Sequence, residues 1–178
     1  WNRQGILKLS FDEADLATWE ALIELRQQQG WRLELWSPAQ VEADCPQVCL
    51  SNLTAGLYSP QDYQVDPTAL TLALIEAASQ QGASFRFDVE VQQLSDSGGL
   101  HSSIGELQAD WLVIAAGLGS MPIVPVPPLS LAPVLGQAMR VQMAEPLGKP
   151  EFQPVITGQD IHLVPLGAGD YWVGATVE

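Results

Sequence analysis

The chain has 178 residues, of which 47% are hydrophobic, so it is long enough to bury a core and to form one or two domains. Its 7 Lys and Arg stand against 21 Asp and Glu, a formal net charge of −14, which argues against binding to nucleic acid or to anionic membrane surfaces. No apolar stretch is long enough for a membrane-spanning helix. We therefore expect a cytoplasmic protein.

The first third of the chain predicts strands alternating with helices. Residues 5–11 alternate apolar and polar residues, which is typical of a strand with one exposed face. Asp12 is a predicted N-cap, and the helix that follows has apolar residues at helical spacing and ends at Gly30. Residues 31–36 alternate again and predict a second strand, which is followed by a short helix.

Two cysteines, Cys45 and Cys49, lie close together after this short helix. A metal site would need two more ligands, and the two histidines of the chain, His101 and His162, are far away in sequence. We therefore expect two reduced thiols in a loop and no metal site. A disulfide between the two cysteines stays open as an alternative.

The middle third predicts part of an open α/β domain. Asp66 caps a helix, Pro67 occupies its first position, and Gly82 ends it. Residues 83–94 predict a strand, which is followed by a turn and a second strand. Residues 111–116 are a continuous apolar run, which is typical of a strand buried on both faces.

The sequence Gly117-Leu118-Gly119 follows this apolar run, as a dinucleotide-binding loop would. Such a loop needs a third glycine at the start of a helix, but Pro122 occupies that position and has no N–H to donate. A Pro-rich crossing segment, residues 121–133, begins at once. We therefore expect no phosphate site here, although a glycine at the end of a strand allows a ligand to approach closely.

The last third predicts antiparallel strands between residues 137 and 176, of which the last two are joined by a loop of about five residues, 166–170. Asp160 and His162 are two positions apart on one predicted strand, so we expect both side chains on one face. Such a pair is suited to moving protons or orienting a substrate. The alternative is that His162 is a half-buried structural residue.

Four segments in this order resemble the D-amino-acid oxidase superfamily of FAD-dependent oxidoreductases. Residues 54–70 resemble its Gly-x-x-x-Pro-x-Asp-x-x-(Val/Ile)-(Asp/Glu)-Pro segment, and residues 110–117 resemble its apolar strand that ends in an Ala-Ala-Gly turn. Residues 133–137 resemble its entry into the substrate domain, and residues 162–178 resemble its hairpin that ends in Gly-Ala-Thr-x-Glu. Within the superfamily the chain looks most like the glycine oxidases.

The resemblance implies an α/β to α+β fold, with part of an FAD-binding α/β domain and a substrate domain that has a largely antiparallel mixed sheet. It implies that residues 1–60 and 134–178 are the two parts of the substrate domain. Residues 61–120 would then belong to the FAD-binding domain, and residues 121–133 would cross between the two domains.

The resemblance also implies the oxidation of a small amino acid or amine such as glycine, a D-amino acid or sarcosine. A hydride passes from the substrate Cα to FAD, and O₂ or another electron acceptor reoxidises the flavin. Val91, Ala116 and Gly117 match positions that contact FAD in the family. His162 stands where glycine oxidases have a substrate-side Tyr. No residue is assigned as catalytic, and a homo-oligomer stays open.

The family's glycine-rich FAD-binding loop and its carboxylate-binding Arg have no counterpart in these residues. The chain thus resembles an internal fragment of such an enzyme. We expect FAD in the full-length protein, and we expect the fragment alone to be inactive and to bind FAD weakly or not at all. The alternative is a non-catalytic binding or structural module derived from a flavoenzyme.

Overall fold

The computed structural model describes residues 2–49, 51–95, 98–123 and 131–177. The chain divides into two compact units: unit 1 is Trp1–Thr71 with Leu135–Glu178, and unit 2 is Leu72–Val134. Most of the Pro-rich segment that the sequence predicts as a crossing lies outside the described residues.

The described elements alternate between strands and helices in the first half of the chain and are almost all strands in the second half. In chain order they are β1 (Ile6–Ser10), α1 (Ala14–Gln28), β2 (Glu34–Trp36), α2 (Pro38–Asp44), β3 (Ala55–Ser59), α3 (Pro67–Gln80), β4 (Val91–Leu94), β5 (Leu100–Ser102), β6 (Gly105–Leu107), a 3₁₀ helix (Gly117–Ser120), β7 (Ala138–Gln142), β8 (Val155–Gly158), β9 (Ile161–Gly167) and β10 (Asp170–Gly174).

Unit 1 is built on a seven-stranded sheet with the order β2-β3-β1-β8-β9-β10-β7. Its neighbouring strands are antiparallel except β1 and β8, which are parallel. A smaller antiparallel sheet, β4-β5-β6, lies in unit 2. This combination confirms the predicted fold class, with a large and mostly antiparallel mixed sheet.

One face of the large sheet packs into the main hydrophobic core. Leu7, Tyr58 and Ile156 extend from β1, β3 and β8 into this core, and Val41 of α2 packs against them. Leu7 and Val41 are both fully buried. The short helix α2 begins as the sequence predicts, because the Ser37 side chain accepts a hydrogen bond from the Gln40 backbone N–H and Pro38 occupies the first turn.

Helix α1 packs on the other face of the sheet, at the β3 end. Its Trp19 is buried against Ala55 and Leu57. The helix begins at Ala14, so its N-cap is Glu13, and the predicted cap Asp12 lies one residue earlier. Asp12 Oδ1 accepts a hydrogen bond from the Ala14 backbone N–H at 2.9 Å. Helix α1 packs on this face at β3, and the candidate site lies on the same face of the sheet, on the strands beyond β3.

Both cysteines are free thiols, as the sequence predicts, but they occupy different environments. Cys45 is fully buried in the main core, and this burial raises the pKa of its thiol to about 11. Cys49 is exposed, and hydrogen bonds with Ser51 lower the pKa of its thiol.

Alkylation should separate these two thiols, because the thiolate is the reactive form. In the native protein at pH 8, iodoacetamide should label Cys49 at least about tenfold faster than Cys45, since the lower pKa and the exposure act in the same direction. Peptide mass spectrometry after a timed quench measures both rates, and labelling in urea is the control because unfolding makes the two sites equivalent. Equal labelling of the native protein would contradict the buried position of Cys45.

Two strand predictions for unit 2 are wrong, because one strand is shorter than predicted and the other is not formed. Of residues 83–94, only the last four form a strand, β4. Residues 111–116 form no strand, and Trp111 and Val113 are 89% and 90% exposed. A strand that is apolar on both faces needs a neighbouring strand on each side, and no strand described here pairs with these residues.

The two last turns of unit 1 are tighter than the sequence predicts. Gln159 and Asp160 both have positive φ, 50° and 63°, and form the two-residue turn between β8 and β9. Asp160 therefore lies in this turn and does not share a strand face with His162. The loop predicted at 166–170 is also shorter, because β9 extends to Gly167 and only Ala168 and Gly169 separate it from β10.

Candidate active site

One row of paired residues crosses the whole seven-stranded sheet of unit 1. Paired residues on neighbouring strands point their side chains to the same face, so the members of this row share one face. We call it the cross-sheet row, and its members from β2 to β7 in sheet order are Leu35, Leu57, Lys8, Thr157, His162, Gly174 and Ala138.

Within the described residues, helix α1 covers the row at Leu57, close to its β2 end. Leu57 lies under Trp19 of α1. Beyond Leu57, Lys8 and His162 are exposed, and Thr157 between them is half-buried. The part of this sheet face formed by Lys8, Thr157, His162, Gly174 and Ala138 is called the open face below.

The residues that precede or follow the open-face residues in the sequence point their side chains to the opposite face of the sheet. Leu7, Ile156 and Leu163 are the sequence neighbours of Lys8, Thr157 and His162, and all three extend into the main core or pack against it. The alternation of side chains along a strand therefore fixes both faces at once. The strands that carry the open face are therefore fixed from behind by a buried apolar layer.

A second row runs beside the open face, toward the β9–β10 turn. It contains Val164, Trp172 and Arg140, which are paired across β9, β10 and β7. Trp172 is 44% exposed, and Arg140 forms an ion pair with Asp170. The guanidinium charge is therefore already matched, whereas the indole ring offers an apolar surface to a ligand.

His162 lies near the middle of the open face. It pairs with Thr157 on one side and with Gly174 on the other. Gly174 has no side chain, so of these two partners only Thr157 places a side chain beside the imidazole. The structure separates His162 from Asp160 and places Thr157 beside it, a neighbour that the sequence alone does not reveal because the pairing of β8 with β9 must be known first.

The three predicted FAD contacts all belong to unit 2. Val91 is the first residue of β4, Ala116 precedes the 3₁₀ helix, and Gly117 begins it with φ +55°. A Cβ at Gly117 would meet no atom within 4 Å, so a ligand can approach the backbone there.

These three positions fit an uncharged part of FAD better than its pyrophosphate. Arg86 is the single Lys or Arg in the sequence from Leu72 to Val134. The 3₁₀ helix has only four residues, which is too short to offer an anion site at its N-terminus. The charge of the phosphates therefore has to be matched by groups other than these.

A cavity of about 870 Å³ opens at the far end of β9, beside the β9–β10 turn. Its walls are held together by side-chain amides: Asn2 Nδ2 donates to the Gln153 carbonyl at 2.8 Å, and Gln64 Nε2 donates to the Pro165 carbonyl at 2.7 Å. Tyr171 donates to Gln153 Oε1 at 2.8 Å. His162 does not line this cavity, but Val164, Trp172 and Arg140 of the second row do, so the cavity adjoins the open face on the side of the β9–β10 turn.

Within the described ranges, no group of three or more His, Cys, Asp and Glu side chains is arranged to hold a metal ion. None of the helices described above is long and apolar enough to cross a bilayer.

A model of the family described as "FAD dependent oxidoreductase" matches residues 1–178, the whole chain. The chain belongs to this family. Among curated relatives, the D-amino acid dehydrogenase of Vibrio cholerae serotype O1 is 35% identical over 121 residues, which are 65% of this chain and 29% of that protein. The bifunctional protein ThiO/ThiG of Synechocystis is 33% identical over 132 residues, which are 71% of this chain and 20% of that protein.

Solved structures of two amino-acid oxidoreductases share the fold. Glycine oxidase from Bacillus cereus superposes with a TM-score of 0.78 at 22% identity, over 99% of this chain and 49% of that one. L-Proline dehydrogenase from P. horikoshii superposes with a TM-score of 0.81 at 21% identity, over 97% of this chain and 48% of that one. The chain thus spans about half the length of these solved proteins and less than a third of the length of the curated relatives.

Proposed function

We propose that this chain forms the substrate-facing part of an FAD-dependent enzyme that oxidises a small amino acid or amine, with His162 in contact with the substrate. Unit 1 would be the substrate domain, and unit 2 would be part of the FAD-binding domain. The match of the family model to the whole chain carries the proposal. The exposed position of His162 on the open face supports its role.

The residues of the chain would act by binding and orientation. The imidazole of His162 can donate or accept a hydrogen bond, and Thr157 offers a hydroxyl beside it. Trp172 and Val164 would cover the apolar part of the substrate and exclude water. Val91, Ala116 and Gly117 would line the cofactor. When bound, FAD supplies the two-electron oxidation by accepting a hydride from the substrate Cα, and O₂ or another acceptor takes up the electrons.

The absorbance spectrum of the protein expressed from its complete reading frame tests the redox function. We expect a visible flavin band that is bleached under anaerobic conditions by glycine, sarcosine or a D-amino acid. A protein that is purified folded and colourless, and stays colourless after addition of FAD, would favour a non-catalytic module.

His162→Ala tests the proposed substrate contact. In the FAD-loaded protein, we expect the KM for the substrate to rise about fivefold, because one hydrogen bond contributes on the order of 1 kcal/mol. The flavin content should stay unchanged, since the proposed flavin contacts lie in unit 2. Steady-state kinetics and the flavin-to-protein ratio give the two readings.

The matched control is His101→Ala, which removes the other histidine of the chain. His101 lies on β5, in the small sheet of unit 2. It should leave KM unchanged. Equal KM values for wild type and both variants would assign His162 a structural role only.

A further inference from the structure

A stripe of side chains along β9 joins the open face to the cavity beside the β9–β10 turn. His162, Val164 and Leu166 are two positions apart from one another on this strand, so they share one face of the sheet. His162 lies on the open face, whereas Val164 and Leu166 line the cavity. Successive members of the stripe are about 7 Å apart, which is within reach of a long or aromatic side chain. A substrate held at His162 can therefore extend into the cavity.

Trp172 lies at the boundary between the open face and the cavity. It pairs with Val164 across β9 and β10, and it is 44% exposed. The next residue of β10 on the same face is Gly174, which pairs with His162 and has no side chain. No side chain of β10 therefore separates the imidazole from the indole. The indole presents a flat apolar surface that is suited to packing against another planar ring.

The charged side chains that line the cavity are already bound to protein groups. Arg140 is paired with Asp170. Asp66 accepts a hydrogen bond from the Ala69 backbone N–H at 2.9 Å, at the start of α3. A charged ligand would have to compete for these partners, whereas an apolar ring gains from burial without displacing them. The cavity is therefore better suited to an uncharged side chain.

The size and the walls of the cavity also fit a bulky group. Its volume of about 870 Å³ is within the range of cavities that enclose a whole small ligand. All of its lining residues belong to unit 1. Rigid proline rings form part of the wall, at Pro67, Pro146, Pro150 and Pro165. Glycine has no side chain, so as a substrate it would leave this cavity unfilled.

We propose that the cavity binds the side chain of the substrate and that Trp172 packs against it, so that the protein prefers amino acids with an aromatic side chain to glycine and alanine. The inference rests on the proposed function, since it names the side-chain class of the substrate held at His162. Burial of an aromatic ring against Trp172 and Val164 removes apolar surface of both partners from water, and the two rings attract each other in addition. Trp172 is thus a specificity-determining residue.

The first test does not depend on turnover. The protein from the complete reading frame is labelled with 5-fluorotryptophan, and Trp172→Phe and Trp31→Phe assign two ¹⁹F NMR signals. Titration with 3-phenylpropionamide, an uncharged probe without an oxidisable amine, should shift the Trp172 signal in a saturable way. Propionamide, which lacks the ring, should not shift it. The signal of Trp31, which is 53% exposed in unit 1 and does not line the cavity, should stay in place with both probes.

Two results of this titration would overturn the proposal. The first is a Trp172 signal that shows no saturable shift with 3-phenylpropionamide. The second is a signal that shifts equally with propionamide, because the aromatic ring would then contribute nothing to binding.

The second test compares kcat/KM for phenylalanine and alanine in the FAD-loaded protein, with both enantiomers of each. Phenylalanine should exceed alanine at least about tenfold, because burial of an apolar side chain of this size is strongly favourable. Trp172→Ala should remove most of this preference with little effect on alanine, and Trp172→Phe should restore much of it. Trp31→Ala is the matched control and should leave the preference unchanged.

The outcomes separate this inference from the proposed function. An active wild-type enzyme with equal kcat/KM for phenylalanine and alanine would refute the side-chain site and leave the proposed function intact. A Trp172→Ala variant that loses activity equally on both substrates would refute the role of Trp172 in specificity. A folded wild-type protein that oxidises no amino acid or amine would contradict the proposed function, and the ¹⁹F titration then decides on the cavity alone.

Discussion

Replacing Leu7 by Ala should lower the free energy of unfolding of unit 1 by about 3 kcal/mol. Leu7 is fully buried at the centre of the main core, between β3 and β8. The substitution removes three carbon atoms from a site that is packed by Tyr58, Ile156 and Val41, so the loss of transfer free energy is joined by the cost of a cavity. Native-state hydrogen exchange at the β3 amides measures the effect, because these amides report on unit 1 alone.

The control for this substitution is Leu25→Ala in α1. Leu25 is 51% exposed, and Ala is at least as good a helix former as Leu. The same measurement should therefore change by no more than about 0.5 kcal/mol. If both variants lose the same free energy, the core of unit 1 is not centred on Leu7.

Replacing Gly5 by Ala should cost about 3 kcal/mol, although it adds one methyl group. Gly5 has a φ of +74°, a conformation that L side chains rarely adopt, and an added Cβ would stand 2.3 Å from the Ser59 carbonyl oxygen. The left-handed conformation costs about 1 to 2 kcal/mol, and the clash with the backbone adds a similar amount. Hydrogen exchange at the β1 and β3 amides should report the loss.

Gly30→Ala separates these two costs. Gly30 has a φ of +81°, close to that of Gly5, but an added Cβ there would meet no atom within 4 Å. Its substitution should cost about 1 to 2 kcal/mol, from the backbone conformation alone. If both substitutions lowered the free energy of unfolding by the same amount, the contact between the added Cβ at residue 5 and the Ser59 carbonyl oxygen would not be destabilising.

The strands of unit 1 could be predicted well because each has a local pattern. Residues 5–11 alternate apolar and polar side chains, and the structure contains β1 at Ile6–Ser10 with Leu7 buried and Lys8 exposed. The helix at Pro67 was equally clear, since a cap and a proline mark its start and Gly82 follows its end. Such signals lie within a few residues of each other, so no knowledge of the tertiary structure is needed.

The candidate site could be predicted only in part. The resemblance of its hairpin to a known family indicates His162, whereas no signal in the sequence indicates that Lys8 and Thr157 lie on the same face. Lys8 and Thr157 are 149 positions apart in the chain, and they meet only because β1 and β8 pair in parallel. No local pattern contains that pairing, so the signal that marks Lys8 is limited to a single cation on the exposed side of an alternating strand.

For the apolar run at residues 111–116, the sequence predicts a buried strand that the structure does not contain. Its composition is typical of a strand covered on both faces, yet the structure leaves Trp111 and Val113 almost fully exposed. Sequence patterns indicate the environment for which a segment is suited, whereas the observed conformation depends on the strands available to pair with it.

The two-residue turn at Gln159 and Asp160 limits how the length of this region can vary among related sequences. It holds β8 and β9 in a register that sets His162 opposite Thr157. Insertion of one residue between the turn and His162 would reverse the orientation of every later side chain of β9, so that the imidazole entered the core and Leu163 faced outward. Length changes by an even number would keep the alternation. Whether an insertion has an odd or an even number of residues therefore matters more here than the identity of the turn residues, because it decides on which face of the sheet His162 lies.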